Sequence, residues 1–268
     1  MKLIVYHSYK GGTGKTTLAI NTAMYLARKG YKTLAIDADL KAPTFDSIFE
    51  GIKPKHRFNE IFDDVEQKKQ NKKGSNPISE IPTPSLINNN LDLIFANPKP
   101  KFGKGLLSLD KDYHAKALKK LVETKKQFEQ LGYKYVIMDT SPSLNLFSIN
   151  TLIIAEAAII VLRPNRYGIA GTTFLLKEIY SMLGIIDRRD FLLFNQVVPG
   201  TPKRLLEKWE THFKENFNVE TLGMLPCNCS IALKMLFGNF IIEKTDSPEF
   251  SKQLKKMVNN LVKALKKQ

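Results

Sequence analysis

A doubly wound α/β fold, with a mostly parallel β-sheet flanked by helices, is predicted by three features of the sequence. Short runs rich in β-branched residues alternate with longer amphipathic stretches. The runs are apolar throughout, as strands covered on both faces are. A glycine-rich turn follows the first run and opens the first amphipathic stretch, the arrangement that phosphate-binding loops require.

Strands are expected at Leu3–Tyr6, Thr33–Asp37, Leu91–Phe95, Tyr135–Asp139, Ala158–Leu162, Phe191–Asn195 and Thr221–Leu225. Helical patterns fall at Lys15–Lys29, Tyr113–Leu131, Ile169–Leu183 and Pro202–Asn216. Near the end, Phe250, Leu254, Met257, Leu261 and Leu265 recur at helical spacing among lysines, so a basic amphipathic helix is expected at about 248–267. One stretch, about 64–90, is polar, basic and Pro/Asn-rich and reads as a surface excursion. No internal repeat or second domain is visible, and residues 1–268 are expected to form a single domain.

Composition narrows the function. Apolar content of 43% is ordinary for a globular chain of 268 residues. The longest apolar run, Leu152–Leu162, is broken by Glu156 and too short to cross a bilayer. The first strand leads straight into the glycine turn, so no signal peptide is expected. Two cysteines do not make a disulfide framework, which implies a reducing cytoplasm. Charge is the outlier: 41 Lys+Arg against 26 Asp+Glu give +15, a balance suited to a polyanion such as nucleic acid or an anionic membrane.

The candidate chemistry lies at the carboxyl ends of the strands. The common phosphate loop reads Gly, any four residues, then Gly-Lys-Ser/Thr. Gly14-Lys15-Thr16 fit its end, but the first glycine is replaced by Tyr9 and followed by Lys10. Gly11, Gly12, Thr13, Gly14, Lys15, Thr16 and Thr17 form the candidate nucleotide loop. Its glycines let successive N–H groups turn toward phosphate oxygens, Lys15 reaches the β- and γ-phosphates, and the Thr16 hydroxyl suits Mg²⁺. Asp37 and Asp39 end the second strand and Asp139 ends a later one. Acids there suit Mg²⁺ held through water and the positioning of an attacking water. His7, His56, His114 and His212 make no ligand spacing.

"KGGTGKTT", "IDADLKAP" and "IMDTSPSLNLFSINTL" together resemble the deviant phosphate-loop ATPases, the superfamily of ParA partition proteins, MinD cell-division proteins and nitrogenase iron protein. The stretch from "DTSPSL" to "NRYGIAG", and "LDLIFANPK", look most like the ParA branch. The resemblance implies a weak, partner-stimulated ATPase that uses ATP and Mg²⁺. It makes Lys10 the signature lysine that crosses a dimer interface to the other subunit's phosphates. Asp39 becomes the acid that positions the hydrolytic water, and Asp139 the Mg²⁺-side acid. Asn195 and Pro226 match segments beside the adenine. ATP would close a homodimer, the dimer would bind DNA nonspecifically to segregate chromosome or plasmid, and a ParB-like partner would trigger release. The implied location is cytoplasmic and nucleoid-associated.

The sequence departs from that branch after Asp39, where Leu40-Lys41 replace Pro-Gln, and after Pro226, where Cys227 and Ser230 replace DNA-contacting arginines. Lys203, Arg204, Lys234, Lys68, Lys69, Lys72 and Lys73 are the alternative phosphate contacts. A second reading is a MinD-like ATPase that cycles on an anionic membrane surface through the basic C-terminal helix. A third is an iron–sulfur or metal-cluster carrier using Cys227 and Cys229, which would need a dimer to complete four ligands.

Overall fold

The computed structural model describes residues 1–66, 78–98, 110–183, 188–242 and 247–266. In chain order the strands are β1 (Lys2–His7), β2 (Thr33–Ala38), β3 (Thr83–Pro84), β4 (Leu91–Ile94), β5 (Tyr135–Thr140), β6 (Ala157–Leu162), β7 (Arg189–Val197) and β8 (Glu220–Pro226). The helices are α1 (Lys15–Arg28), α2 (Phe45–Ile48), α3 (Asp63–Glu66), α4 (Lys111–Gln130), α5 (Leu146–Ile154), α6 (Arg166–Leu183), α7 (Lys203–Phe217), α8 (Cys229–Leu236) and α9 (Pro248–Lys266).

Among the described residues, eight strands form one sheet in the order β3-β4-β2-β5-β1-β6-β7-β8, parallel except for β3. All seven expected strands are present. β1 is central, paired with β5 on one side and β6 on the other. The chain steps outward to β2 and β4, returns to β5, then crosses β1 to build β6, β7 and β8. Such a reversal opens a crevice beyond the carboxyl ends of the strands.

Because successive strand side chains face opposite ways, each strand feeds two cores. Leu3 and Val5 of β1 join the core beneath α4, α5, α6 and α7, whereas Ile4 and Tyr6 join the one beneath α1 and α9. Local signals fix the helix ends. Asp110 caps α4 by accepting from the N–H groups of Asp112 and Tyr113. Asn145 and Ser148 form a reciprocal cap on α5. Asn218 at φ 53 closes α7.

One stretch differs from the sequence reading. Within the segment expected as an excursion, Ile78 and Ile81 are buried in the core, and Thr83–Pro84 pair antiparallel with β4. Local polarity hides this, because two isoleucines in a Pro/Asn-rich run make no periodic pattern. Lys68, Lys69, Lys72 and Lys73 lie outside the described residues. The C-terminal amphipathic stretch forms α9, which packs on β8 and α1. Phe250, Leu254, Met257, Leu261 and Leu265 are all buried against the sheet and α1, with Lys252, Lys256, Lys263 and Lys266 on the outer side. Residue 267 of that expected helix is outside the described residues.

Candidate functional site

The glycine turn joins β1 to the first residue of α1, Lys15. Gly12 and Gly14 hold φ 73 and φ 86, the left-handed region that glycine enters without penalty. At Gly14 space forbids a side chain as well: a Cβ would lie 2.3 Å from Asn195 Nδ2. That amide donates to the Thr13 carbonyl at 2.7 Å, so the end of β7 buttresses the loop. A bulge aims it there. The β7–β8 register shifts between Phe194 and Val197, and Gln196 sits at φ 58.

Tyr9, in place of the missing first glycine, packs sideways. Its ring lies against the backbone of α6 at Gly171, where a Cβ would come within 2.1 Å of Tyr9 Cδ1. Its edge meets Phe174, with centroids 5.9 Å apart. Lys10 is exposed, with Nζ 5.3 Å from the centre of the Tyr167 ring at the start of α6.

Lys15 points inward. Its Nζ donates to Asp139 Oδ1 at 2.6 Å, and both side chains are buried. The Thr16 hydroxyl donates to Asp139 Oδ2. Register places the strand-end acids: Asp139 of β5 pairs with Tyr6 of β1 and with Asp37 of β2, so both carboxylates face α1. Burial pushes the Asp139 carboxyl up, opposed by Lys15 and Thr16. Burial, then the charge of Asp139, pushes Asp37 up to about 7, against three backbone hydrogen bonds. Those bonds come from Asp39 N at 3.1 Å, Thr44 N at 2.8 Å and Phe45 N at 3.0 Å. Asp37 thus ties the loop after β2 to the first turn of α2. Asp39 Oδ1 accepts from Lys41 N, Ala42 N and, at 2.6 Å, from Ser141 Oγ. That bond joins the loop after β2 to the loop after β5.

Next to Gly14 opens a cavity of about 210 Å³, lined by Leu18, Asn195, Pro226, Ile231 and Met235. Asn195 and Pro226 therefore share one apolar cleft beside the loop. A larger cavity, between the starts of β7 and β8 and the end of α7, holds none of these groups.

Sequence reasoning passed over several participants. Ser143 holds φ 66, donates its N–H to the Ser8 carbonyl at 2.9 Å and its hydroxyl to the Tyr9 carbonyl at 3.1 Å. Arg163, just past β6, brings Nη2 to 3.9 Å from where a Gly12 Cβ would stand. Helix α8 supplies Ile231 and Met235 to the cleft. Its sequence signal was Asn228, which caps it by accepting from Ile231 N. Cys227 and Cys229 at its start are exposed free thiols, and no cluster of three metal-ligating side chains occurs among the described residues. His7 is buried, and burial followed by Lys15 and Arg188 drives it down to about 3, so it is neutral.

The family model AAA_31, described as an AAA domain, matches residues 1–187. The virulence plasmid ParA family protein pGP5-D of Chlamydia psittaci is 30% identical over 185 residues, 69% of this chain. The match spans 65% of that relative's length. A chain of the MinC:MinD cell division protein complex of Aquifex aeolicus superposes with a TM-score of 0.75 at 21% identity, over 98% of this chain and 96% of that one. A putative plasmid partition protein of Borrelia burgdorferi, solved with AMPPNP bound, gives 0.73 at 21% identity over 98% and 99%. The family match begins at the first strand and runs past α6, taking in the glycine loop, the strand-end aspartates and the helix against which Tyr9 packs. This chain belongs to the ParA/MinD superfamily of phosphate-loop ATPases.

Proposed function

We propose that this chain binds and hydrolyses ATP with Mg²⁺, dimerises on ATP, and in that form binds DNA without sequence preference to partition a chromosome or plasmid. The observation that carries this reading is the split between two lysines of one loop. Lys15 is buried on Asp139 inside the site, whereas Lys10 stands outside it over Tyr167. An exposed cation beside the loop, not held by the acids of its own site, is available to phosphates bound by a second subunit.

The residues fit a magnesium nucleotide. The loop is open at Gly11, where a Cβ would meet nothing within 4 Å, and at Gly12, where it would meet only Arg163, while the Asn195 amide fills that space at Gly14. Lys15 binds the β- and γ-phosphates after leaving Asp139. The bound Mg²⁺ would neutralise phosphate charge, held by the Thr16 hydroxyl directly and by Asp37 and Asp139 through water. Asp39, fixed by Ser141 and two backbone N–H groups, orients the attacking water. Asn195 holds the loop through Thr13, and with Pro226 it flanks the base in the apolar cleft. Lys10 adds positive charge across the interface, which ties dimerisation to the γ-phosphate.

The basic outer side of α9, with exposed Lys203, Arg204 and Lys234, is the candidate DNA surface. A ParB-like partner would stimulate turnover, and the place of work is the nucleoid. The alternative, membrane cycling as in MinD, is less well supported because the apolar side of α9 is already buried in the fold. Light scattering with a non-hydrolysable ATP analogue tests the dimer: it should form with the analogue, not with ADP, and disappear in Lys10→Ala. DNA binding should require the analogue and fall steeply with salt. Analogue-loaded protein that ignores DNA at low salt and pellets with anionic vesicles overturns the partition reading in favour of the membrane one.

A further inference from the structure

A second cavity lies on the outer side of the phosphate loop, between Tyr9–Thr13 and the start of α6. Its volume is about 160 Å³, and it is separate from the cleft beside Gly14. Lys15, Thr16 and Asp139 do not line it. At roughly 30 Å³ per water, it has room for a tetrahedral oxyanion with a few waters.

Its chemistry is one-sided. Lys10, Thr13, Arg163 and Asn165 line it, and no carboxylate does. The Arg163 guanidinium makes no hydrogen bond or ion pair among the described residues. Thr13 is only 7% exposed, yet its Oγ1 has no hydrogen-bond partner there. Buried hydroxyls without partners are rare and call for an explanation. Asn165 uses Oδ1 to accept from Gly168 N at 2.8 Å, which leaves its amide donors for the cavity. The wall is closely packed at this point, since a Cβ on Gly168 would lie 2.0 Å from the Arg163 carbonyl oxygen. Closely packed backbone, an orphaned buried hydroxyl and an uncompensated guanidinium together describe an anion receptor.

We propose that this cavity is a second phosphate site, distinct from the nucleotide cradle, in which Arg163, Thr13 and Asn165 bind orthophosphate. The ATPase reading enters only for the source of the ligand, which is either free phosphate or the phosphate cleaved from ATP. Arg163 also borders the nucleotide cleft, so it links the two compartments.

Calorimetric titration of orthophosphate into protein saturated with Mg·ADP tests the site, because ADP fills the cradle. Wild type should bind one phosphate. Asn165→Asp keeps the cap on α6, since Asp and Asn cap equally well, and puts a negative charge in the cavity. It should weaken phosphate about tenfold or more with ADP affinity unchanged. Arg163→Gln should weaken phosphate to a similar degree. No phosphate binding to ADP-loaded wild type, or equal binding by all three proteins, overturns the proposal and leaves the ATPase reading standing. If ADP itself fails to bind, the ATPase reading falls, and the same three-protein comparison without ADP still decides the site. A single-turnover phosphate-release assay then identifies the source. Faster release in Asn165→Asp at an unchanged hydrolysis rate marks the product, and unchanged release marks free phosphate.

Discussion

Replacing Asp139 by Asn tests the idea that the protein stores a substitute for nucleotide inside its own site. Lys15 Nζ lies 2.6 Å from Asp139 Oδ1, with side-chain exposures of 7% and 0%. Breaking a buried pair by neutralising one partner costs about 3–5 kcal/mol, mostly because the other charge is left uncompensated. Asn matches Asp in size and still accepts from Thr16, so no cavity term is added. Removing the charge also relieves the repulsion felt by Asp37. The net loss should therefore fall near the lower end, about 3 kcal/mol, in urea unfolding without nucleotide. ADP phosphates would then give the stranded Lys15 new counter-charges. The deficit should shrink with saturating Mg-free ADP, and by linkage Mg-free ADP should bind more tightly to the variant, about tenfold for each 1.4 kcal/mol recovered. An unchanged urea midpoint, or a deficit of equal size with and without ADP, would refute the reasoning.

Other substitutions probe the walls of the site. Lys10→Ala removes only an exposed cation–π contact, so folding stability should change by less than about 1 kcal/mol while analogue-dependent dimerisation disappears in light scattering. Gly14→Ala forces a left-handed residue, at about 1–2 kcal/mol, and drives a Cβ into the Asn195 amide. Fluorescent-nucleotide titration should show binding lost in a protein that still folds. Gly171→Ala should destabilise by about 1–3 kcal/mol through overpacking against Tyr9, and adding Tyr9→Ala should remove most of that deficit; additive losses in urea would show that the two residues are independent.

The sheet was legible because its central strands are apolar on both faces. The run "TLAID" can be read only as a strand once it is bounded by a turn and a charged loop. The loop glycines and three aspartates could be picked out in the sequence because they lie at or just past the carboxyl ends of strands. What stayed hidden depended on contacts far apart in sequence. Nothing around Arg163 reveals that β6 lies next to β1 and brings it to Gly12. Nothing in "FNQV" reveals the bulge that turns Asn195 onto Thr13. Ser143 reads as an ordinary turn residue until its two bonds to the Ser8 and Tyr9 carbonyls are seen. Tyr9 looked like a gap in a motif, and the packing shows a ring whose seat is Gly171.

The smallest strand has a consequence for how copies of the chain can meet. β3 is two residues long, antiparallel to its neighbour, and ends in the exposed Pro84. Proline offers no N–H, and so short an edge gives an incoming strand almost nothing to pair with. Among the described residues, that flank disfavours growth of the sheet by stacking copies edge to edge. Association there is left to side-chain surfaces, and a contact made by side chains can be broken each time a bound ligand changes.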